Sequence, residues 1–130
     1  MIDKLAYIHI RNRKILSTRS RGKTKYYIPG GKRETNETDW QALSREIQEE
    51  LSVELIQESC QYYGTFQAQA DSHAEGIIVK MTCYTADYLG ELKAAAEIEE
   101  IVWLTSDNIN DISPVDKLIF ADLKSKDLID

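Results

Sequence analysis

Short apolar runs, separated by polar and glycine-containing stretches, dominate the hydrophobic pattern of the chain and predict strands. Arg11-Asn12-Arg13 predicts a turn between the first two strands, and Pro29-Gly30-Gly31 ends the third. The predicted strands cover residues 5–10, 14–18, 26–28, 60–69, 76–88 and 98–104.

The segment after Thr38 has a helical period instead. Thr38 and Gln41 match a capping box, so a helix is predicted to start just after Thr38 and to run to about Leu51. Its apolar positions are Trp40, Leu43, Ile47 and Leu51. A second amphipathic helix is predicted over residues 114–124, and the acidic stretch 126–130 is predicted to be a frayed end. The inner side of the second helix is expected to carry Val115, Leu118, Ile119 and Leu123.

Three carboxylates lie along one stripe of the first predicted helix. At about 100° per residue, Glu46, Glu49 and Glu50 fall within an arc of roughly 100° beside the buried face. Like charges at these spacings cost about 0.2–0.5 kcal/mol per pair, and the macrodipole disfavours anions in the last turns. Arg45 is expected to point toward water and to relieve this only through Glu49. The stripe is either a solvated acidic face or a divalent-cation site, where ligation would replace repulsion.

The segment from Gly31 to Val53 resembles the Nudix box, the signature of hydrolases that cleave nucleoside diphosphates linked to another group. The family pattern is G-x5-E-x7-R-E-U-x-E-E-x-G-U, in which U is a bulky aliphatic residue. Ser52 stands where the family usually has glycine. Serine there is either strained by about 1 kcal/mol in the left-handed conformation, or the chain leaves the helix differently. The matching residues are Gly31, Glu37, Arg45, Glu46, Ile47, Glu49, Glu50 and Val53.

The resemblance implies an α/β fold, namely a Nudix-type α/β/α sandwich with a mixed sheet, and 130 residues predict a single domain, 1–130. The net charge of −6 argues against a general nucleic-acid or anionic-membrane surface. Cys60 and Cys83 lack metal-ligand spacing and predict free thiols in a reducing compartment. Because no membrane-spanning or signal-peptide pattern is found, the expected location is cytoplasmic.

Within the box, the resemblance implies roles for the charged residues. Glu46, Glu49 and Glu50 are the expected ligands of Mg²⁺, with Mn²⁺ as the other candidate, and the Gly30 carbonyl is a further ligand. Glu50 is expected to be the inner ligand. The general base is Glu46 or Glu49, and the resemblance does not separate them. Arg45 is expected to orient carboxylates through its planar fork.

The remaining box positions and one later carboxylate complete the expected metal site. Gly31 and Glu37 are expected to be structural, with Glu37 bracing the loop or lying in the outer metal shell. A further carboxylate is expected shortly before Trp103, where the ungapped match selects Glu97. A shifted match selects one of Glu99 and Glu100.

Substrate contacts are expected from loops around the box. Lys32 is the expected phosphate contact, and Arg19 and Arg21 are two further candidates. Asp116 is a candidate for reading the base, because related enzymes read purine edges from a loop before the last helix. Ordinary core or surface roles remain open for the base-pocket candidates Tyr27, Ile28, Phe66 and Asp116. The expected substrate-binding set is Arg19, Arg21, Ile28, Gly31, Lys32 and Asp116.

The overall layout resembles the MutT-like branch, which implies Mg²⁺-dependent cleavage of a (deoxy)nucleoside triphosphate to monophosphate and pyrophosphate. The alternatives are an ADP-ribose or nucleotide-sugar diphosphatase, or a catalytically silent module that binds a nucleotide. Silent members typically lose box glutamates, and this chain retains all four, which favours an enzyme. The expected partner is a small nucleotide, with no nucleic acid or membrane, and the chain is expected to be a monomer or homodimer.

Overall fold

The computed structural model describes residues 1–130 and contains nine strands and two α-helices. Neither helix is long and apolar enough to cross a membrane. In chain order the elements are β1 (Ile2–Tyr7), β2 (Ile10–Arg11), β3 (Lys14–Ser20), β4 (Gly30–Lys32), α1 (Asp39–Leu51), β5 (Glu54–Leu55), β6 (Gln61–Gln69), β7 (Ile78–Thr85), β8 (Tyr88–Leu89), β9 (Ile98–Leu104) and α2 (Pro114–Ser125).

The central sheet has the strand order β4-β1-β7-β6. Strand β1 pairs parallel with β7, whereas β4 and β6 pair antiparallel with their neighbours. The sheet is therefore mixed, as the resemblance implies. A second, antiparallel sheet has the order β2-β3-β9, and β5 pairs with β8.

Strand alternation divides the core into two halves. Leu5 and Tyr7 on one face of β1 pack with α1, while Ala6 and, just past the strand, Ile8 pack with α2. The helices thus cover opposite faces of the strands and give the predicted α/β/α sandwich. The buried residues of α1 include Ala42, Leu43, Ile47 and Leu51, and those of α2 include Val115, Ile119, Phe120 and Leu123.

Both ends of α1 are closed by local hydrogen bonds. Thr38 and Gln41 form the predicted capping box. At the other end Ser52 has a φ of 63°, so serine does adopt the left-handed conformation. Its N–H donates to the Gln48 carbonyl at 3.1 Å. The helix therefore ends with the left-handed C-terminal residue that is usually glycine, but here that residue is Ser52, whose backbone is strained in this conformation.

The third predicted strand is wrong in position. Tyr26 and Tyr27 make only isolated bridges, whereas Gly30–Lys32 forms β4 and pairs with residues 4–6 of β1. Gly30 has a φ of +146°, and a Cβ there would lie 2.0 Å from the Leu5 carbonyl oxygen. The glycines therefore allow close strand pairing at a place where the sequence pattern predicts a break.

Two predictions near the C-terminus are also wrong. Leu118 is 47% exposed, and Phe120 is buried instead. The last residues are not frayed, because Ile129 is fully buried and the Asp130 N–H donates to the Arg13 carbonyl. The turn before β3 holds the end of the chain, since the Arg13 side chain also pairs with Asp127 and Asp130.

Candidate functional site

A pocket of about 520 Å³ opens beside β1, β4, the second half of α1 and the loop after β6. Its lining combines three kinds of residue. The carboxylates are Glu46, Glu50, Glu97 and Asp71, and the lysines are Lys4, Lys23 and Lys32. The apolar lining includes Ile2, Ile28, Val79, Met81 and Val115.

Strand β4 holds the carboxylates of α1 in place. The Gly30 N–H donates to Oε1 of Glu50 at 3.0 Å. A Cβ on Gly31 would lie 2.4 Å from the Glu46 carboxyl carbon, so that carboxylate occupies the space which a side chain at position 31 would need. Gly31 therefore has a direct physical role, since it leaves room for Glu46.

Glu50 is the buried carboxylate of the site, with 7% of its surface exposed. The pKa of Glu50 is raised to about 8, mainly by burial, while the Gly30 hydrogen bond lowers it and the nearby carboxylates of Glu46 and Glu97 contribute to the rise. Burial likewise raises the pKa of Glu46. No basic side chain of the protein forms a salt bridge with Glu50.

Arg45 does not point toward water as the helix geometry predicts. Its Nε and Nη2 donate to the two carboxylate oxygens of Glu37 at 2.8 and 2.9 Å, and Nη1 donates to Glu46 at 2.8 Å. The Arg45 guanidinium lowers the pKa of Glu37 to about 2. The arginine is long enough to turn back over the loop, so it fixes both Glu37 and Glu46.

The donor set suits a hard divalent cation, because it offers several carboxylate oxygens in a partly buried pocket. The repulsion among Glu46, Glu50 and Glu97 is the kind that such a cation would relieve. As the side chains are placed, however, no group of three or more histidine, cysteine, aspartate and glutamate residues converges closely enough to hold a metal ion. The donors are present, but a ready ligand arrangement is not.

The carboxylates expected at the site do not all face the pocket. Glu97 lines it, whereas Glu99 and Glu100 lie beside Arg19 at 3.6 and 2.9 Å. Glu49 is 54% exposed and lies outside the lining residues. The geometry therefore favours Glu97 among the three later glutamates.

The two arginines expected to contact phosphate are not brought into the pocket. Thr18 and Ser20 of β3 line it, and Arg19 points to the other side of the strand, because neighbouring side chains alternate. Arg21 donates to the Ala96 carbonyl at 2.7 Å and is not a lining residue either.

Ile28 and Asp116 are linked behind the pocket wall. The Ile28 N–H donates to Oδ2 of Asp116 at 2.9 Å, and the other carboxylate oxygen is buried without a partner. Burial raises the pKa of Asp116 to about 7. Ile28 and its neighbour Tyr27 line the pocket, while Phe66 and Asp116 do not.

Sequence reasoning missed several lining residues. Asp71 and His73 belong to the loop after β6, and Asp71 accepts hydrogen bonds from Tyr27 and Lys25. No local signal in that polar turn indicates the contact between Asp71 and Tyr27, which are 44 residues apart. Lys4 was also missed, because it follows Asp3 and stands just before the apolar run that begins at Leu5.

Comparisons with known proteins agree with this architecture. The NUDIX domain family model matches residues 4–123. The solution structure of the E. coli ORF135 protein is 28% identical, with a TM-score of 0.75, and the match covers 97% of this chain and 92% of that one. No curated protein matches the chain.

Two further solved structures share the fold at lower identity. The MutT protein from Methanosarcina mazei Go1 has a TM-score of 0.76 at 16% identity, covering 97% of this chain and 94% of that one. A NUDIX hydrolase from Nitrosomonas europaea has a TM-score of 0.74 at 21% identity, covering 96% and 89%.

Proposed function

The chain belongs to the NUDIX domain family and is a hydrolase acting on pyrophosphate bonds, and we propose that its substrate is a (deoxy)nucleoside triphosphate. The products are the nucleoside monophosphate and pyrophosphate. The observation that carries this proposal is the combination, in one pocket, of lysines, an apolar wall and mutually repelling carboxylates, of which Glu50 is buried. The lysines, together with a cation held by the carboxylates, would bind the triphosphate, and the apolar wall would pack against the nucleoside.

Mg²⁺ is the proposed cofactor, with Mn²⁺ as its substitute. Glu46, Glu50 and Glu97 would hold it together with the Gly30 carbonyl, and Glu49 would be a further ligand at the rim. When bound, the cation neutralises phosphate charge and makes water a stronger acid. The unfavourable burial of Glu50 supports this role, since a cation would offset the cost of its charge.

The protein's own groups would orient and deprotonate the attacking water. Glu46 is the better candidate for the base, because it lines the pocket and Arg45 holds it at 2.8 Å, whereas Glu49 is largely exposed. Its raised pKa brings the carboxylate closer to the basicity that proton transfer at neutral pH requires. Arg45 would keep Glu46 oriented, and Glu37 would keep Arg45 in place.

The rest of the pocket would bind the nucleotide. Lys32, at the exposed end of β4, is the proposed contact for the terminal phosphates, and the Gly31 backbone lies beside it. Ile28 would pack on the nucleoside. Asp116 would hold Ile28 in position from behind the pocket wall, because its carboxylate accepts a hydrogen bond from the Ile28 backbone N–H.

The test is a substrate panel assayed with Mg²⁺. It would contain canonical and 8-oxo (deoxy)nucleoside triphosphates, ADP-ribose, nucleotide sugars and dinucleoside polyphosphates, with products resolved by chromatography and ³¹P NMR. Pyrophosphate plus monophosphate is the expected result. Cleavage of ADP-ribose or a sugar nucleotide alone would replace the substrate class, and binding without turnover would favour a silent module.

Matched variants separate chemistry from folding. We expect Glu46→Gln and Glu50→Gln each to lower turnover by at least about a hundredfold, as loss of an acid–base or metal role does. Glu54→Gln, on the exposed side of β5, should leave turnover unchanged. Near-full activity in both pocket variants would contradict the assignment of the site.

A further inference from the structure

Lys4 is a charged residue on the otherwise apolar face that β1 and β7 share in the central sheet. In β1 it alternates with Ile2 and Ala6 on the side that packs toward α2. In the parallel pairing with β7 these three positions lie opposite Val79, Met81 and Cys83, all of them buried in the core beneath α2. A lysine in such a row costs stability, so its presence needs a reason.

The protein does not neutralise this lysine with a direct partner. Its ammonium forms no hydrogen bond and no salt bridge within 4.0 Å. Burial lowers the pKa of Lys4, and Asp116, Glu50 and Asp71 offset this only by longer-range attraction. Lys4 lines the pocket, and its partly buried ammonium has donors that no group of the protein uses.

The strand order indicates which part of a substrate would contact Lys4. Lys4 lies opposite Lys32 in β4 and opposite Met81 in β7. The carboxylates of α1 are held from the β4 side, through Gly30, and the apolar lining continues on the β7 side. A substrate with its terminal phosphates near β4 and its base near β7 would cross β1 at the group that joins them.

That joining group is the phosphoryl group attached to the nucleoside, and it is anionic. The arginines of β3 and the following loop do not face the pocket, and the other two lysines of the lining are exposed. We propose that Lys4 binds the nucleoside-attached phosphoryl group and is the main protein cation for the monophosphate part of the substrate. This assignment rests on the proposed nucleotide substrate.

The experiment measures ligand binding without metal or turnover. AMP, GMP, CMP and UMP, and the four matching nucleosides, would be titrated in EDTA by ¹H–¹⁵N NMR into the wild type, Lys4→Met and Lys4→Gln. Lys117→Met, which removes an exposed lysine on α2, is the matched control. Thermal unfolding verifies that each variant is folded, and Lys4→Met should melt about 2–4 °C higher because it removes a partly buried charge.

For the best-binding monophosphate, both Lys4 variants should raise Kd by about tenfold or more, while Kd for its nucleoside changes by less than about twofold. The Lys117 variant should match the wild type in both. Equal losses for nucleoside and monophosphate would overturn the phosphoryl assignment, because Lys4 would then contact sugar or base. Unchanged monophosphate affinity in the Lys4 variants, or no monophosphate binding to the wild type, would also overturn it.

The same proteins distinguish failure here from failure of the proposed function. If the wild type hydrolyses a triphosphate and the Lys4 variants keep its kcat/KM, the role of Lys4 is wrong and the function stands. If monophosphates bind through Lys4 but no triphosphate is hydrolysed, the role of Lys4 stands and the proposed reaction is wrong.

Discussion

At the scale of single residues, two adjacent glycines serve different purposes. A Cβ on Gly31 would meet the end of the flexible Glu46 side chain, at 2.4 Å. Gly31→Ala should therefore fold but displace the Glu46 carboxylate, and misplacing a catalytic group by about 1 Å costs about a hundredfold in rate. Steady-state kinetics with the substrate found in the panel would measure kcat, and unfolding in urea would measure stability.

Gly30→Ala provides the contrast. Its Cβ would lie 2.0 Å from a backbone oxygen of Leu5, at a φ that other residues rarely adopt. We expect a loss of about 3 kcal/mol or more in the free energy of unfolding, because neither strand can move away without breaking their pairing. If Gly31→Ala lost comparable stability, or kept full activity, the role assigned to Gly31 would be incorrect.

The fully buried carboxyl of Asp116 predicts a pH dependence of stability. Its folded pKa of about 7 lies above the ordinary value of 3.8, so the folded state holds the proton more tightly. The stability that the protonated Asp116 carboxyl contributes to the folded state is fully present below about pH 3.8 and is lost as pH rises to about 7. Lys4 and Asp71 also act on this carboxyl, and in opposite directions.

Asp116→Asn should remove this dependence, because asparagine can still accept the Ile28 N–H but carries no charge. Urea unfolding between pH 4 and 8 would show that the free energy of unfolding of the variant increases relative to that of the wild type as pH rises. The gain should be on the order of a few kcal/mol. Parallel curves for the two proteins would show that Asp116 does not titrate in this range.

At the scale of elements, helix α1 was predictable because its signals are local. The capping box of Thr38 and Gln41 and the apolar spacing require only a few turns of chain. Helix geometry alone did not predict the direction of the Arg45 side chain, because that direction depends on its hydrogen bonds to Glu37 in the preceding loop. It also grouped Glu49 with Glu46 and Glu50, although only the latter two line the pocket.

Strand β4 was not predictable from its own residues. A run that starts with two glycines has no β-branched or aromatic side chains and reads as a turn. Its pairing follows from the close approach of Gly30 to β1, which is a tertiary contact. The same limit applies to Asp71, since its contacts with Tyr27 and Lys25 join distant parts of the chain.

The C-terminal end of α1 yields a prediction of its own. Ser52 has a φ of 63°, where a Cβ costs about 1–2 kcal/mol. Ser52→Gly should raise the free energy of unfolding by about 1 kcal/mol, although it loses an exposed hydrogen bond to the Lys93 carbonyl. Ser52→Ala keeps the strain and loses that bond, so it should be slightly less stable than the wild type. A glycine variant no more stable than the alanine one would contradict this explanation.

At the scale of the whole molecule, the chain end closes the half of the core beneath α2. Ile129 is fully buried in the cluster that contains Ile15, Phe120 and Leu123, so residues far apart in sequence complete one layer. The acidic composition of the last five residues suggests a solvated tail, and two adjacent apolar residues, Leu128 and Ile129, are too weak a signal to overrule it. Arg13 holds the chain end against the core, because its side chain forms salt bridges with both Asp127 and Asp130.

Ile129 and its neighbour Leu128 make a matched pair for testing this closure. Ile129→Ala should lower the free energy of unfolding by about 2–5 kcal/mol, because it leaves a cavity against α2. Leu128 is 41% exposed, so Leu128→Ala should cost less than about 1 kcal/mol. Urea midpoints for the two variants would decide the matter. Similar small losses at both positions would mean that the tail does not form part of the core, and the sandwich would then be stabilised without it.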